Sequence, residues 1–135
     1  MNDFAEIARL CVELGYPVTP REIESRISSL LEDEDQWIAV APGPRSMLLG
    51  WVAAAHRVLL ESGERVEITA LVVDSTARRK GIGKALVSGV ENWAASRGVS
   101  GIFVRSNVLR SESHGFYEQI GYRRTKTQHA YTKVQ

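Results

Sequence analysis

Residues 71–84 read LVVDSTARRKGIGK, and this order of strand, basic loop and helix organises the chain around it. The stretch opens as the end of a Val-rich strand and closes as the start of a helix with apolar positions at helical spacing. Residues 78–84 between them hold four cations and two glycines. The glycines let the backbone turn tightly and expose successive N–H groups at the positive end of the helix. The stretch therefore predicts an anion site, most naturally for phosphate.

Three predicted strands precede this loop and pair as an antiparallel meander. They cover residues 36–41, 47–58 and 65–73. Two helices are predicted ahead of them, one over residues 3–14 and one that begins after Thr19. Thr19 is followed by Pro20 and, three positions on, by Glu22, which is the pattern of a capping box.

The chain after residue 81 alternates again between helix and strand. A helix from Ile82 to Gly98, a short strand over 102–104 and a short helix over 111–120 are predicted, and residues 122–134 are predicted to form one or two closing strands. This order predicts one α+β domain over residues 1–135, with a mixed, mostly antiparallel sheet and helices on both faces.

Composition bounds the function classes. The 135 residues are 44% hydrophobic and 24% charged with a net charge of +1, which excludes a disordered chain and gives no general attraction to nucleic acid or an anionic membrane. The single cysteine, Cys11, lies on the apolar stripe of the first helix and is interpreted as structural. No Cys/His cluster has metal-ligand spacing. The chain shows neither a signal peptide nor a membrane span, so a cytoplasmic location is expected.

The basic loop does not match the common nucleotide-binding loops. A P-loop requires Gly where Arg78 stands and Ser or Thr where Ala85 stands. A dinucleotide fingerprint requires Gly or Ala where Leu86 stands, and it requires the glycines close behind the strand. Both nucleotide interpretations are therefore weak.

Two motifs resemble signatures of the GNAT superfamily of N-acetyltransferases. Arg78-x-x-Gly81-x-Gly83 after the Leu-Val-Val-Asp strand resembles its acetyl-CoA motif. The stretch from Ser106-Asn107 to Gly121-Tyr122, with Phe116-Tyr117-Glu118 inside it, resembles a second signature of small bacterial members. Leu-Gly-Tyr-Pro at 14–17 is also similar to those members. The resemblance covers almost the whole chain, from residue 3 on. It is specific because both motifs stand in order on a βα then βα pattern.

The resemblance implies a site for acetyl-CoA as co-substrate. In the family, a bulge splays the strand that precedes the basic loop from its neighbour, and pantetheine enters that gap. The residues that match cofactor-binding positions are Leu71, Val72 and Val73 for pantetheine, Arg78, Arg79, Lys80, Gly81, Ile82, Gly83 and Lys84 for the pyrophosphate, and Asn107 and Tyr117 for the pantetheine and thioester.

The resemblance also implies two catalytic residues. Tyr117 matches the tyrosine that lies near the thioester sulfur and acts as general acid. Glu67 matches the glutamate that the histone-acetylating branch uses as base, and a neutral amine needs such a base because free amines are mostly protonated at pH 7. His56 is a second base candidate, and His114 is a further neighbour of the cleft. His129 and Tyr131 are candidates for contact with the acceptor.

Three functions follow as hypotheses. The first is transfer of acetyl from acetyl-CoA to a small-molecule amine by direct attack in a ternary complex. The second is acetylation of a protein lysine or N-terminus, and the third is a non-catalytic acyl-CoA-binding module.

The family normally begins with a strand, whereas here a helix starts at about Asp3. The first strand is therefore expected to be missing, and the open sheet edge allows a homodimer.

Overall fold

The computed structural model describes residues 3–78, 80–105 and 111–135, apart from the side chains of 111–114. It contains the helices α1 (Asp3–Glu13), α2 (Pro20–Leu31), α3 (Ile82–Ser96) and α4 (Ser111–Gln119), and the strands β1 (Gln36–Pro42), β2 (Leu48–Leu59), β3 (Gly63–Val73) and β4 (Ile102–Val104). The chain forms two compact units, one up to Val104 and one from Arg105 on. None of the helices in these ranges is long and apolar enough to cross a membrane.

The first unit is built on a four-stranded sheet in the order β1-β2-β3-β4. β1, β2 and β3 are antiparallel neighbours, and β4 lies parallel to β3 after the crossover through α3. The predicted meander and the mixed sheet are therefore confirmed. The predicted capping box of α2 is also present, because Thr19 accepts from the Glu22 amide while the Glu22 carboxylate accepts from the Thr19 amide.

The two faces of the sheet carry different helices. Trp51 of β2 packs against the core of α1 and α2, in a cluster that contains Ile7, Leu10 and Val72. Its neighbour Gly50 points to the other face, because successive residues of a strand alternate, and there it meets α3. Helices on both faces of the sheet are therefore confirmed.

Close packing holds α3 against its face of the sheet at two glycines. A Cβ on Gly50 would lie 3.2 Å from Leu86 and 3.3 Å from Ile82 of α3, and a Cβ on Gly89 of α3 would lie 2.8 Å from the ring of Trp37. Trp37 in turn stacks on Trp93 of α3 with ring centroids 6.1 Å apart. Trp37 and Trp93 therefore belong to the packing of the fold.

The second unit differs from the prediction. Residues 123–135 have no regular secondary structure, so the predicted closing strands are wrong. The segment does carry β-branched and aromatic residues, but Tyr131 is 91% exposed and Val134 is 90% exposed. β-propensity describes how well a residue fits a half-buried pleated surface. A strand also needs a neighbouring strand with which to form hydrogen bonds, and propensity does not show whether one is present.

Candidate functional site

A β-bulge divides β3 into two halves. Ala53 of β2 faces Ala70 and the next residue, Ala54, faces Ile68, so Thr69 is the extra residue on β3. The Thr69 hydroxyl donates to the Ala53 carbonyl at 3.1 Å and holds the bulge in place. The bulge lies where the resemblance to the acetyltransferases implied one.

Beyond the bulge, one edge of β3 is open. β4 pairs with β3 only over Val66–Ile68, so within the ranges given above Leu71–Val73 have no ladder partner on the β4 side. Unpaired backbone groups at such an edge can take up an extended chain that carries amide groups, as in strand addition. Pantetheine has two amides, so this edge fits it.

The first turn of α3 presents backbone donors. Gly81 is the N-cap with φ 80°, a left-handed conformation that favours glycine, and it has no side chain with which to cap the helix. The ladder of α3 begins with the Ala85 amide, which donates to the Gly81 carbonyl at 3.0 Å, so the amides of residues 82–84 precede it. A Cβ on Gly81 would meet no atom within 4 Å, so a phosphate can approach this turn.

A partly buried ion pair, in which the carboxylate is the buried partner, anchors the loop between these two elements. Asp74 directly follows β3 and is 2% exposed. Its carboxylate accepts from the Thr76 amide at 2.8 Å and from Arg9 Nη1 of α1, also at 2.8 Å. Arg9 also binds Glu6, whose carboxylate accepts from the Leu48 amide. The start of the basic loop is thereby tied to α1 and to β2.

Sequence reasoning missed this anchor. Asp74 followed by Ser-Thr is a local signal for a turn, since Asp side chains bond backbone amides two residues on. The partner Arg9 lies 65 residues away in sequence, and no local pattern marks it.

The anchor predicts a pH-dependent stability. Hydrogen bonds from the Thr76 hydroxyl and amide, and then from Arg9, lower the pKa of Asp74 from 3.8 to about 2. Because the folded-state pKa is depressed, the stabilisation is present above pH 4 and is lost as the pH falls from about 4 to about 2. Urea unfolding of the wild type and of Asp74→Asn should differ by about 2 kcal/mol near pH 6. A difference that stays constant down to pH 2 would contradict this assignment.

Glu67 lies in a cluster with two arginines. It is 6% exposed, and its Oε1 accepts from Arg57 Nη1 and from Arg65 Nη2, each at 3.3 Å. Its strand partners are Ala55 of β2 and Phe103 of β4. Glu67 is therefore a buried charged group, as a functional carboxylate would be, and two guanidinium groups donate hydrogen bonds to it.

The histidines do not join this cluster. His56 follows Ala55 on β2 and so points to the opposite face of the sheet from Glu67. Its Nε2 lies 3.6 Å from the Glu64 carboxylate. His129 and Tyr131 are exposed in the second unit. Arg79, Asn107 and the side chain of His114 lie outside the described residues.

Tyr117 lies in an aromatic group of the second unit. Its ring meets Phe116 edgewise at 5.1 Å and Tyr122 at 5.9 Å. Burial raises the pKa of Tyr117 to about 12. The hydroxyl is therefore protonated at neutral pH, as a proton donor must be.

Cys11 has the environment of a structural cysteine. It packs against the core cluster of α1 and α2, and burial raises the pKa of its thiol. A neutral thiol is a poor nucleophile. This agrees with the interpretation made from the sequence.

Solved structures with the same fold include an aminoglycoside 6'-N-acetyltransferase, AAC(6')-Iy, in complex with a bisubstrate analogue of CoA. It superimposes with a TM-score of 0.84 over 98% of this chain and 92% of that chain, at 16% identity. This likeness concerns the fold.

Curated relatives carry acetyltransferase names. An N-acetyltransferase of Bacillus subtilis (strain 168), YhdJ, is 33% identical over 116 residues, 80% of this chain and 82% of its own length. N-acetylaspartate synthetase of Danio rerio is 34% identical over 96 residues, 71% of this chain. The match spans about a third, 32%, of that longer relative.

A family model described as Acetyltransferase (GNAT) matches residues 1–122. The fold predicted from the resemblance is thereby confirmed, and the predicted enzyme class, an acyltransferase, is the class of that family. The chain belongs to the GNAT family of acetyltransferases.

Proposed function

We propose that residues 1–135 act as one N-acetyltransferase domain that moves acetyl from acetyl-CoA to the primary amine of a small molecule. One observation carries this proposal: the open edge of β3 at Leu71–Val73 leads, through the loop anchored at Asp74, to the uncapped first turn of α3. An amide-bearing chain and a pyrophosphate are the two parts of CoA that such a pair of sites fits.

Named residues hold the co-substrate in this proposal. The backbone of Leu71, Val72 and Val73 pairs with pantetheine, and the amides of 79–84 bind the pyrophosphate. Arg78, Lys80 and Lys84 add positive charge around it, and Lys80 and Lys84 are exposed. Asn107 hydrogen-bonds pantetheine. The complex of AAC(6')-Iy with a CoA-containing analogue supports CoA as the ligand of this fold.

The chemistry proposed is direct attack of the amine on the thioester. Glu67 accepts the proton that the bound ammonium must lose, directly or through one water, and the amine nitrogen then forms the new bond to the acetyl carbon. The carbon–sulfur bond breaks, and Tyr117 donates a proton to the departing thiolate. The nitrogen loses its second proton as the amide forms, and this proton restores the Tyr117 hydroxyl through solvent. No covalent acetyl-enzyme is required, because Cys11 packs in the core with a raised pKa.

A small-molecule acceptor is supported by the names of the relatives. N-acetylaspartate synthetase and aminoglycoside acetyltransferase are both named for small molecules. Acetylation of a protein lysine or N-terminus is the alternative, and a non-catalytic acyl-CoA-binding module is the second. The cytoplasmic location and the homodimer stay predictions from the sequence.

A glycine variant tests the CoA site. Gly81→Val places a branched side chain where phosphate must approach the first turn of α3, so CoA should bind more than about tenfold more weakly. Calorimetric titration with CoA measures this. CoA should also raise the melting temperature of the wild type, whereas ATP and NAD should not.

Gly98→Val is a matched control for this variant. Gly98 lies just beyond the opposite end of α3. Its φ is 73° and that of Gly81 is 80°, and a Cβ on either glycine would meet no atom within 4 Å. The backbone strain of the two variants is therefore similar, and only Gly81→Val should lose CoA affinity. Equal affinities of both variants would remove residues 79–84 from the site. Turnover of acetyl-CoA with a panel of amines and peptides then tests the reaction itself.

A further inference from the structure

Two arginines converge with Glu67 on the sheet face that carries α1 and α2. Arg57 lies opposite Arg65 on the neighbouring strands, and Glu67 lies opposite Ala55. Because paired residues share a face and Trp51 lies on the α1 side, Arg57, Arg65 and Glu67 all lie on that face. We call these three residues the arginine cluster.

The cluster has an excess of positive charge. Two guanidinium groups share one carboxylate, and both donate to the same oxygen, Oε1 of Glu67, at 3.3 Å. Such distances are longer than the 2.7–2.9 Å of strong charge-assisted bonds. The side chain of Arg57 is 45% exposed, so its other donors face solvent. The arginine cluster therefore carries a net charge of about +1 with spare donors.

Arg65 is held in place and keeps a buried donor unused. Its guanidinium carbon lies 4.1 Å above the ring of Phe103, which fixes the plane of the fork. Its Nε is buried, and no hydrogen-bond partner for it is found in the part of the chain that the structure describes. A buried donor without a partner costs free energy, so Glu67 alone does not satisfy the hydrogen-bonding capacity of Arg65.

Small residues lead to the cluster along the same face. Ala53 and Ala55 of β2 and Ala70 of β3 share the face of Glu67, and Ala53 and Ala70 flank the bulge at Thr69. Their short side chains leave room above the strands next to the bulge, where Ala53 and Ala70 are half-buried, and Ala55 beside the cluster is buried. A small acceptor placed there would have its amine toward the open edge of β3 and its other end toward the arginines.

We propose that the acceptor is an amine that also carries a carboxylate, and that Arg57 and Arg65 bind this carboxylate. The proposal rests on the proposed N-acetyltransferase function and specifies its substrate class. Guanidinium forks match a carboxylate in a bidentate geometry. When the acceptor's carboxylate takes over these donors, Oε1 of Glu67 is released to accept from the acceptor's ammonium. A polycationic acceptor would instead meet two positive charges.

The test compares amines that differ only in whether they carry a negatively charged carboxylate. Acetyl-CoA turnover is measured with aspartate, glutamate and a series of ω-amino acids, each against its amide, and with a diamine of the same length. The amide keeps the amine and removes the negative charge. We expect kcat/KM to be at least about tenfold higher for the acids.

A variant connects this preference to the cluster. Arg57→Gln should raise KM for the acids and lower their kcat/KM by roughly 10- to 100-fold more than that of the amides, which Arg57 can affect only through its bond to Glu67. Arg45→Gln is the matched control, since Arg45 is an exposed arginine in the turn that precedes β2, on the order of 30 Å from Arg57 along the strand. It should leave both substrates unchanged.

The outcomes distinguish a failure of the carboxylate inference from a failure of the proposed acetyltransferase function. Equal turnover of acids and amides by the wild type overturns the carboxylate inference and leaves the acetyltransferase function intact. Equal losses for acids and amides in a folded Arg57→Gln would make Arg57 a structural residue and would also overturn it. If no amine or peptide is acetylated although CoA binds, the proposed function itself fails. The comparison of acids with their amides in the wild type tests the carboxylate inference even if Arg57→Gln does not fold.

Discussion

Glu67→Gln is expected to lower turnover by about 10²–10⁴ at neutral pH, because glutamine has nearly the same shape but cannot accept the proton of an ammonium. The amide oxygen can still accept from Arg57 and Arg65, whose donors now meet Oε1 at 3.3 Å. The variant should therefore fold. Acetyl-CoA affinity should survive, because the proposed pantetheine contacts lie beyond the bulge at Thr69.

A pH profile distinguishes a base from a merely structural carboxylate. Raising the pH neutralises more of the free amine, so the turnover of Glu67→Gln should rise with pH more steeply than that of the wild type. A wild-type profile in the variant would transfer the role of the base to another group or to solvent. Parallel lines in initial-rate plots, with an acetyl group trapped on the enzyme, would replace direct attack by a covalent route.

Tyr117→Phe is expected to lower turnover by one to three orders of magnitude, which is the range for loss of one general acid or oriented donor. The ring and its edgewise contacts with Phe116 and Tyr122 are kept, and only the hydroxyl is removed. Because the pKa of Tyr117 is raised to about 12, the wild-type hydroxyl remains a donor across the neutral range.

Two measurements isolate the hydroxyl of Tyr117. Acetyl-CoA affinity should change little, so the loss should lie in kcat rather than in binding. Tyr16→Phe serves as the control, because Tyr16 is 61% exposed in the connection after α1. Unchanged turnover in Tyr117→Phe would leave the residue with a packing role alone.

The elements that the sequence predicted correctly are those with strong local patterns. The capping box at Thr19 and the helical spacing after Ile82 are both set by neighbouring residues, and the structure confirms each. Local patterns fail where a partner is needed. Residues 123–135 have suitable residues for a strand and no ladder.

The site was predictable to the same extent. The glycine turn before α3 is visible in the sequence, because only glycine adopts the conformation of Gly81 without strain. The pairing of Asp74 with Arg9, and the meeting of Arg57 with Glu67, depend on the register between distant segments. Strand register is fixed by the whole hydrophobic pattern and cannot be taken from one residue.

The two glycine contacts of α3 have a consequence for how this enzyme can diverge. Because Gly50 of β2 meets Ile82 and Leu86 of α3, and Gly89 of α3 meets the ring of Trp37, the close approach of α3 is set by residues on its own face of the sheet. Ala53, Ala55 and Arg57 lie on that opposite face. The residues that we propose to meet the acceptor can therefore be exchanged while the turn that we propose to bind CoA keeps its geometry, so related chains with this fold can differ in their acceptors.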